Sequence, residues 1–168
     1  MTRTTAREIA IQLGFSVAAS YQEPETVVAE FFEPEHYAAM AAEDELYSEK
    51  PSKKDLDFIT RSVSGVAAYR IQLDHYIGQY AKGWRPERIS RSAAAILRQA
   101  MYEILYMPDI PDAASIDEAV ELAKGYEDPD VVSFINGVLG GFYRGEVSHE
   151  DKPAEEAAEA PVEEPADE

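Results

Sequence analysis

Cysteine is missing from this chain of 168 residues, which removes disulfides and thiolate chemistry and leaves the fold to burial alone. No run approaches the roughly 18 continuous apolar residues of a membrane span. The N-terminus also lacks the charged-then-apolar order of a signal peptide, so a cytoplasmic protein without membrane contact is expected. Nothing alternates with period two, and no sheet is predicted. The three histidines, His36, His75 and His149, lie far apart and have no cysteine partners, so no metal site is expected. The phosphate-cradling and nucleophile-elbow signatures are absent. The acidic pairs Asp117–Glu118 and Glu127–Asp128 suit helix starts and turns better than acid–base work. Neither an enzyme nor a cofactor is expected.

Positive charge is scarce too: 15 Lys and Arg stand against 33 Asp and Glu, a formal charge of −18. That balance opposes simple phosphate binding, which rests on Lys and Arg. Its distribution is uneven. Residues 146–168 hold ten acids and one lysine, a net of −9, leaving −18 − (−9) = −9 for residues 1–145. The tail has several prolines and almost no large apolar residue, so it is expected to be disordered, following a single globular domain at 1–145.

What is present is helical periodicity. Thr5 and Glu8 have the spacing of a capping box, and Ala6, Ile9, Ala10, Leu13 and Val17 follow at i, i+3, i+4, predicting a helix over about 5–20. Pro24 marks a second start, ending at Glu33-Pro34, and the Ala-rich run after it reads as a short helix or loop. Ser52 and Asp55 write another box, with apolar positions from Leu56 to Ile77 predicting one long central helix of some 25 residues. Gly83 and Pro86 interrupt the pattern. Ile89 to Ile104 then define a further helix, stopped by Pro108 and Pro111. Ser115 with Glu118 gives a third box, and Gly125 loosens or ends the helix it starts. Pro129 opens a last helix, whose Val132, Phe134, Ile135, Val138, Leu139 and Phe142 demand burial. The sum is an all-α bundle.

The cations fall in two groups. Arg3 and Arg7 are four apart at the first helix start, near one face, where they can bracket a nucleic-acid backbone or simply meet water. Lys82, Arg85, Arg88, Arg91 and Arg98 are opposed only by Glu87. Arg88, Arg91 and Arg98 read as close to one helical face, either a polyanion-facing patch or ordinary surface charge. Trp84, between Gly83 and Pro86, reads as an aromatic staple in preference to a base-stacking platform. Asn136-Gly137 is odd inside a helix and suggests close packing or contact.

Ile96-Leu97-Arg98 with Ala100, Tyr102-Glu103 and Ile104-Leu105, the Asp109-Ile110-Pro111 turn, DEAVELAK from Asp117 to Lys124, and FINGVL from Phe134 to Leu139 occur in a specific order and spacing. Together they resemble the NusB family of bacterial transcription antitermination factors, over about residues 3–143. The resemblance implies two packed helical subdomains, with a break near 80–86. It also implies an RNA-binding factor that joins a NusE-type small-subunit ribosomal protein to hold boxA-type RNA of ribosomal RNA leaders near the elongating RNA polymerase complex. The family's arginine-rich RNA-contacting segment falls on Arg3, Thr4, Thr5 and Arg7, and its second RNA-contacting region on Asp128, Phe134 and Asn136. The half of the fold that meets NusE falls on Arg88, Arg91, Ala93 and Ala94. A protein–protein interaction module of the same fold, with little RNA affinity, is the alternative.

Overall fold

A computed structural model describes residues 1–148, and among them eight α-helices and no strand occur. The acidic tail expected at 146–168 lies, from residue 149 onward, outside the described residues. The first helix, α1 (Arg3–Ser20), begins two residues earlier than the pattern predicts: Thr2 is its cap, its hydroxyl accepting from the Thr5 amide at 3.0 Å. Thr5 is thus a first-turn residue and not the cap, because Thr2 offers the same oxygen one step sooner. Prolines occupy the first positions of α2 (Pro24–Phe31) and α3 (Pro34–Glu43), where the missing N–H costs nothing. The Ala-rich run is therefore helix.

The Ser52 box forms in full at the start of α4 (Lys53–Ala68): the Asp55 amide donates to Ser52 Oγ and the Ser52 amide to Asp55 Oδ2. The predicted long helix is two helices. Tyr69 leaves helical geometry (φ −105°, ψ 19°), and α5 (Arg70–Tyr80) resumes after it. Tyr69 stacks on Tyr106 at 4.4 Å between ring centroids, and a one-residue break leaves the apolar period intact, so periodicity alone does not register it. Gly83, at φ 82°, turns the chain between α5 and α6 (Arg91–Tyr106), which Ser90 caps.

The most enclosed helix is α6, not the Leu56–Ile77 stretch. It touches α1, α4, α5, α7 and α8 and buries Ile96, Leu97, Ala100, Met101 and Ile104. α7 (Asp112–Tyr126) starts three residues before the predicted box, after Pro111, so Ser115 lies inside it and buried. α8 (Pro129–Phe142) buries Ile135, Val138, Leu139 and Phe142 as its breadth requires. Helices α1–α4 pack mainly on one another, as do α5–α8, with α6 leaning on both groups; the chain crosses between them at Tyr69, and residues 81–90 link α5 to α6. One continuous apolar core runs through both groups.

Candidate nucleic-acid and partner surfaces

The two N-terminal arginines have opposite environments. Both lie over the Phe58 ring, Arg3 at 4.2 Å and Arg7 at 5.6 Å from its centroid, a favourable cation–π placement. Arg3 is exposed and has no ion pair among the described residues. Arg7 is 3% exposed, and its guanidinium grips Glu103 with two donors, Nε to Oε2 at 2.6 Å and Nη2 to Oε1 at 2.8 Å. Its Nη1 reaches Glu118 at 3.3 Å.

Glu103 is fully buried, and its remaining lone pairs are met by Gln99 Nε2 at 2.9 Å and Ser115 Oγ at 2.7 Å. Gln99 also donates to Ser62 at 3.0 Å. A buried ion pair is tolerable when further hydrogen bonds complete it in this way. The expectation that Arg7 shares an outward face with Arg3 is thereby corrected, since one helical turn carries Arg7 from the rim into the core. Ser115 and Glu118, read as a cap, instead serve other helices: Ser115 donates to Glu103, while Glu118 accepts from Arg7 and from the Thr4 hydroxyl at 2.7 Å. Thr5 meets Thr2 Oγ1 at 3.0 Å. Arg3, Thr4 and Thr5 therefore line one edge, whose geometry the buried pair holds.

The second predicted region lies farther along. Side chains of α1 and α7 meet at Thr4–Glu118 and again at Gln12–Tyr126, and Asp128 follows at the exposed start of α8. Eight residues at 1.5 Å each separate the two edges by about 12 Å along α1. Asn136 is exposed, while Phe134 is half-buried with the Trp84 ring 4.3 Å from its own. Trp84 thus clamps the α5–α6 link onto α8. Space around Gly137 is open, so close packing does not account for Asn136-Gly137.

Two of the residues expected to meet a partner, Arg91 and Ala94, line a groove of about 820 Å³ between α1, α4, α5 and α6, floored by small side chains such as Ala10, Gly14 and Ala67. Arg91, Ala94 and Arg98 line it; Ala93 is 1% exposed and faces the core, because it takes the buried side of the α6 first turn. Arg88 stands on a short 3-10 turn before α6, so it does not share a helical face with Arg91 and Arg98. Arg98 Nε donates to Asp74 at 2.7 Å and Arg70 Nε to the same carboxylate at 3.2 Å, which neutralises that wall. Lys82, Arg88 and Arg91 are exposed and have no ion pair among the described residues; Arg85 reaches only Glu87, at 3.7 Å.

Phe15, 39% exposed, stands between this groove and a smaller hollow of about 340 Å³ walled by Ile11, Ile96, Leu122 and Tyr126. Sequence reasoning passed it over. The available signal was a second stripe on α1: Ile11 and Phe15 fall off the Ile9–Leu13 line that fills the core. At the hollow's mouth, burial and a short hydrogen bond to Glu8 push the Tyr126 hydroxyl up to about 12.

These features define an all-helical scaffold among the described residues, with a polar N-terminal edge and a groove bordered by cations. The scaffold is of known lineage. The model of the NusB family matches residues 4–144. The transcription antitermination protein NusB of Symbiobacterium thermophilum is 38% identical over 145 residues, 86% of this chain and 91% of that protein. Its namesake from Clostridium kluyveri is 32% identical over 152 residues, 87% and 97% of the two chains. The solved structure of T. maritima NusB superposes with a TM-score of 0.68 at 27% identity, covering 86% of this chain and 92% of that one. The chain belongs to the NusB family, whose members are transcription antitermination factors and not enzymes.

Proposed function

We propose that the unit formed by residues 1–145 binds boxA-type RNA of ribosomal RNA leaders, together with a NusE-type ribosomal protein, beside elongating RNA polymerase in the cytoplasm. The observation that carries this reading is the exposed Arg3. It is held by the Phe58 ring and flanked by the Thr4 and Thr5 hydroxyls, on an edge fixed from within by Arg7 and Glu103. The Arg3 charge and the Thr5 hydroxyl, whose proton is not spent on Thr2, together suit a phosphate backbone, while Thr4 is tied to Glu118. Asp128 and Asn136 supply the second, base-reading contact, with Phe134 backed by Trp84. The ribosomal protein takes the groove, where Phe15, Ala94 and Arg91 present an apolar floor and a charged border.

Fluorescence-anisotropy titration of boxA RNA and a scrambled control, with and without the NusE-type partner across a salt series, tests the reading. Partner-dependent preference for boxA is expected, and Arg3→Ala, which removes one phosphate-neutralising charge, should lower the salt slope by about 0.7. One observation favours the alternative: burial of Arg7 leaves a single outward arginine on this edge. Partner binding without RNA preference would establish a protein–protein module instead.

A further inference from the structure

Four cations follow one another from the α5–α6 link to the first residue of α6 without adequate internal partners. Lys82, Arg88 and Arg91 pair with nothing among the described residues, and Arg85 has only Glu87. Two carboxylates of neighbouring elements are engaged by other groups: Asp74 is shared by Arg70 and Arg98, and Glu127 accepts from the Ser90 and Ser92 hydroxyls. The rim is thus a net-positive strip on a body of opposite sign. Residues 149–168 hold nine acids and one lysine, a net of −8, so residues 1–148 carry −18 − (−8) = −10.

The described chain also ends beside this strip. Glu146 accepts from Tyr80 Oη at 2.5 Å and from Gln79 Nε2 at 3.2 Å. Tyr80 is two residues from Lys82, at most about 7.6 Å between Cα atoms. The twenty residues that follow Ser148 span at most about 70 Å, whereas a body of this size has a radius of gyration of about 15 Å. Length therefore sets no limit on reaching the strip.

We propose that the acidic C-terminal segment, residues 149–168, seats on the cationic strip of Lys82, Arg85, Arg88 and Arg91, the last of which lines the groove. Tethering places the segment at an effective concentration in the millimolar range. A second copy of this chain is the poorer occupant, because bodies of −10 repel one another. The contact is electrostatic and hence salt-sensitive, and any partner or polyanion that uses the rim must first displace it. The proposal stands on charge and on where the chain leaves the body, and its test uses neither RNA nor a ribosomal protein.

Zero-length carbodiimide cross-linking of the full chain, with mass-spectrometric mapping, reads the contact through Lys82, the one amine of the rim. Lys50, Lys53, Lys54 and Lys124, exposed elsewhere, serve as references. Only links to the distal carboxylates from Glu159 to Glu168 count, since those near Ser148 lie close to Lys82 by tether alone. At low salt, Lys82 links should exceed each reference at least fivefold. They should fall to the reference level in about 0.5 M salt and in the triple variant Arg85→Ser, Arg88→Ser, Arg91→Ser, which leaves Lys82 in place. Equal yields at all lysines, or a Lys82 yield indifferent to the variant, would overturn the proposal and leave the rim open to an external polyanion. As a second reading, replacing Glu159, Glu163, Glu164, Asp167 and Glu168 by their uncharged amides should shift the backbone amide resonances of residues 82–91, and unmoved resonances would likewise overturn it.

Discussion

The start of α1 and the link into α6 use the same kind of residue for opposite ends. In α1, Arg7 meets two carboxylates donated by other helices, Glu103 from α6 and Glu118 from α7, and so joins three helices from within. On the link and the first turn of α6, Arg88 and Arg91 meet no carboxylate among the described residues and are exposed. An arginine's fate is decided by what the facing helices bring to it, not by its own position in a pattern. Where acceptors converge, a charge becomes part of the core; where none do, it remains available to something outside the body.

The largest effect should follow from breaking the inner set. Glu103→Ala strands the Arg7 guanidinium in the core, and urea unfolding should show a loss of about 3–5 kcal/mol. Combining Arg7→Met with Glu103→Leu should recover much of that loss, because an apolar pair of similar volume carries no desolvation penalty. Arg88→Ala and Arg91→Ala should stay within about 0.5 kcal/mol of the parent. A Glu103→Ala cost no larger than theirs would erase the distinction between the two regions.

Much of the fold was legible in the chain, for reasons that differ by element. Pro24 and Pro129 open helices because a fixed φ and a missing N–H suit a first turn, and Ser52 with Asp55 caps α4 through contacts three residues apart, whereas Pro34, read only as the end of the second helix, also opens the third. The same local logic misreads Ser115 and Glu118. Their spacing is that of a cap, but Glu103, twelve residues before Ser115, supplies a buried acceptor that local pattern does not register. Depth is the general gap: the four-residue spacing of Arg3 and Arg7 gives a common side of α1 but not how far inside each sits. The family words from Ile96 to Leu139 identified the lineage, whereas Phe15, an apolar residue left at a groove, looks in sequence like any core position.

A second contrast sharpens the division between filled and open regions of the bundle. A Cβ built on Gly65 would lie 2.0 Å from Tyr102 Cζ and 2.2 Å from its hydroxyl oxygen, a direct overlap with that end of the side chain. Gly65→Ala should therefore cost about 1–3 kcal/mol as Tyr102 is displaced from its tyrosine cluster. Gly78, on the groove wall, has nothing within 4 Å of its added Cβ. Gly78→Ala should stabilise by about 0.5–1 kcal/mol through helix propensity, and thermal or urea unfolding of the pair reads both signs.

The smallest expected effect lies one residue beyond Arg7. Glu8 faces the hollow, where it accepts from the Tyr126 hydroxyl, while Gln12 Nε2 donates to that same oxygen at 3.1 Å. Burial first, and then the Glu8 carboxylate, disfavour the phenolate, so the folded value rises from 10.0 to about 12. A raised value means that this contribution to stability is complete below pH 10 and is lost as the pH climbs through about 12. Ultraviolet titration of tyrosinate should show Glu8→Gln moving Tyr126 back toward its ordinary value, with little change in stability at neutral pH, since Tyr126 is 46% exposed and water screens the contact. A loss at neutral pH comparable to that of Glu103→Ala would mean that the outer face of α1 is held as firmly as its inner one. The boundary between structural and available charge would then lie elsewhere than at the first turn of this helix.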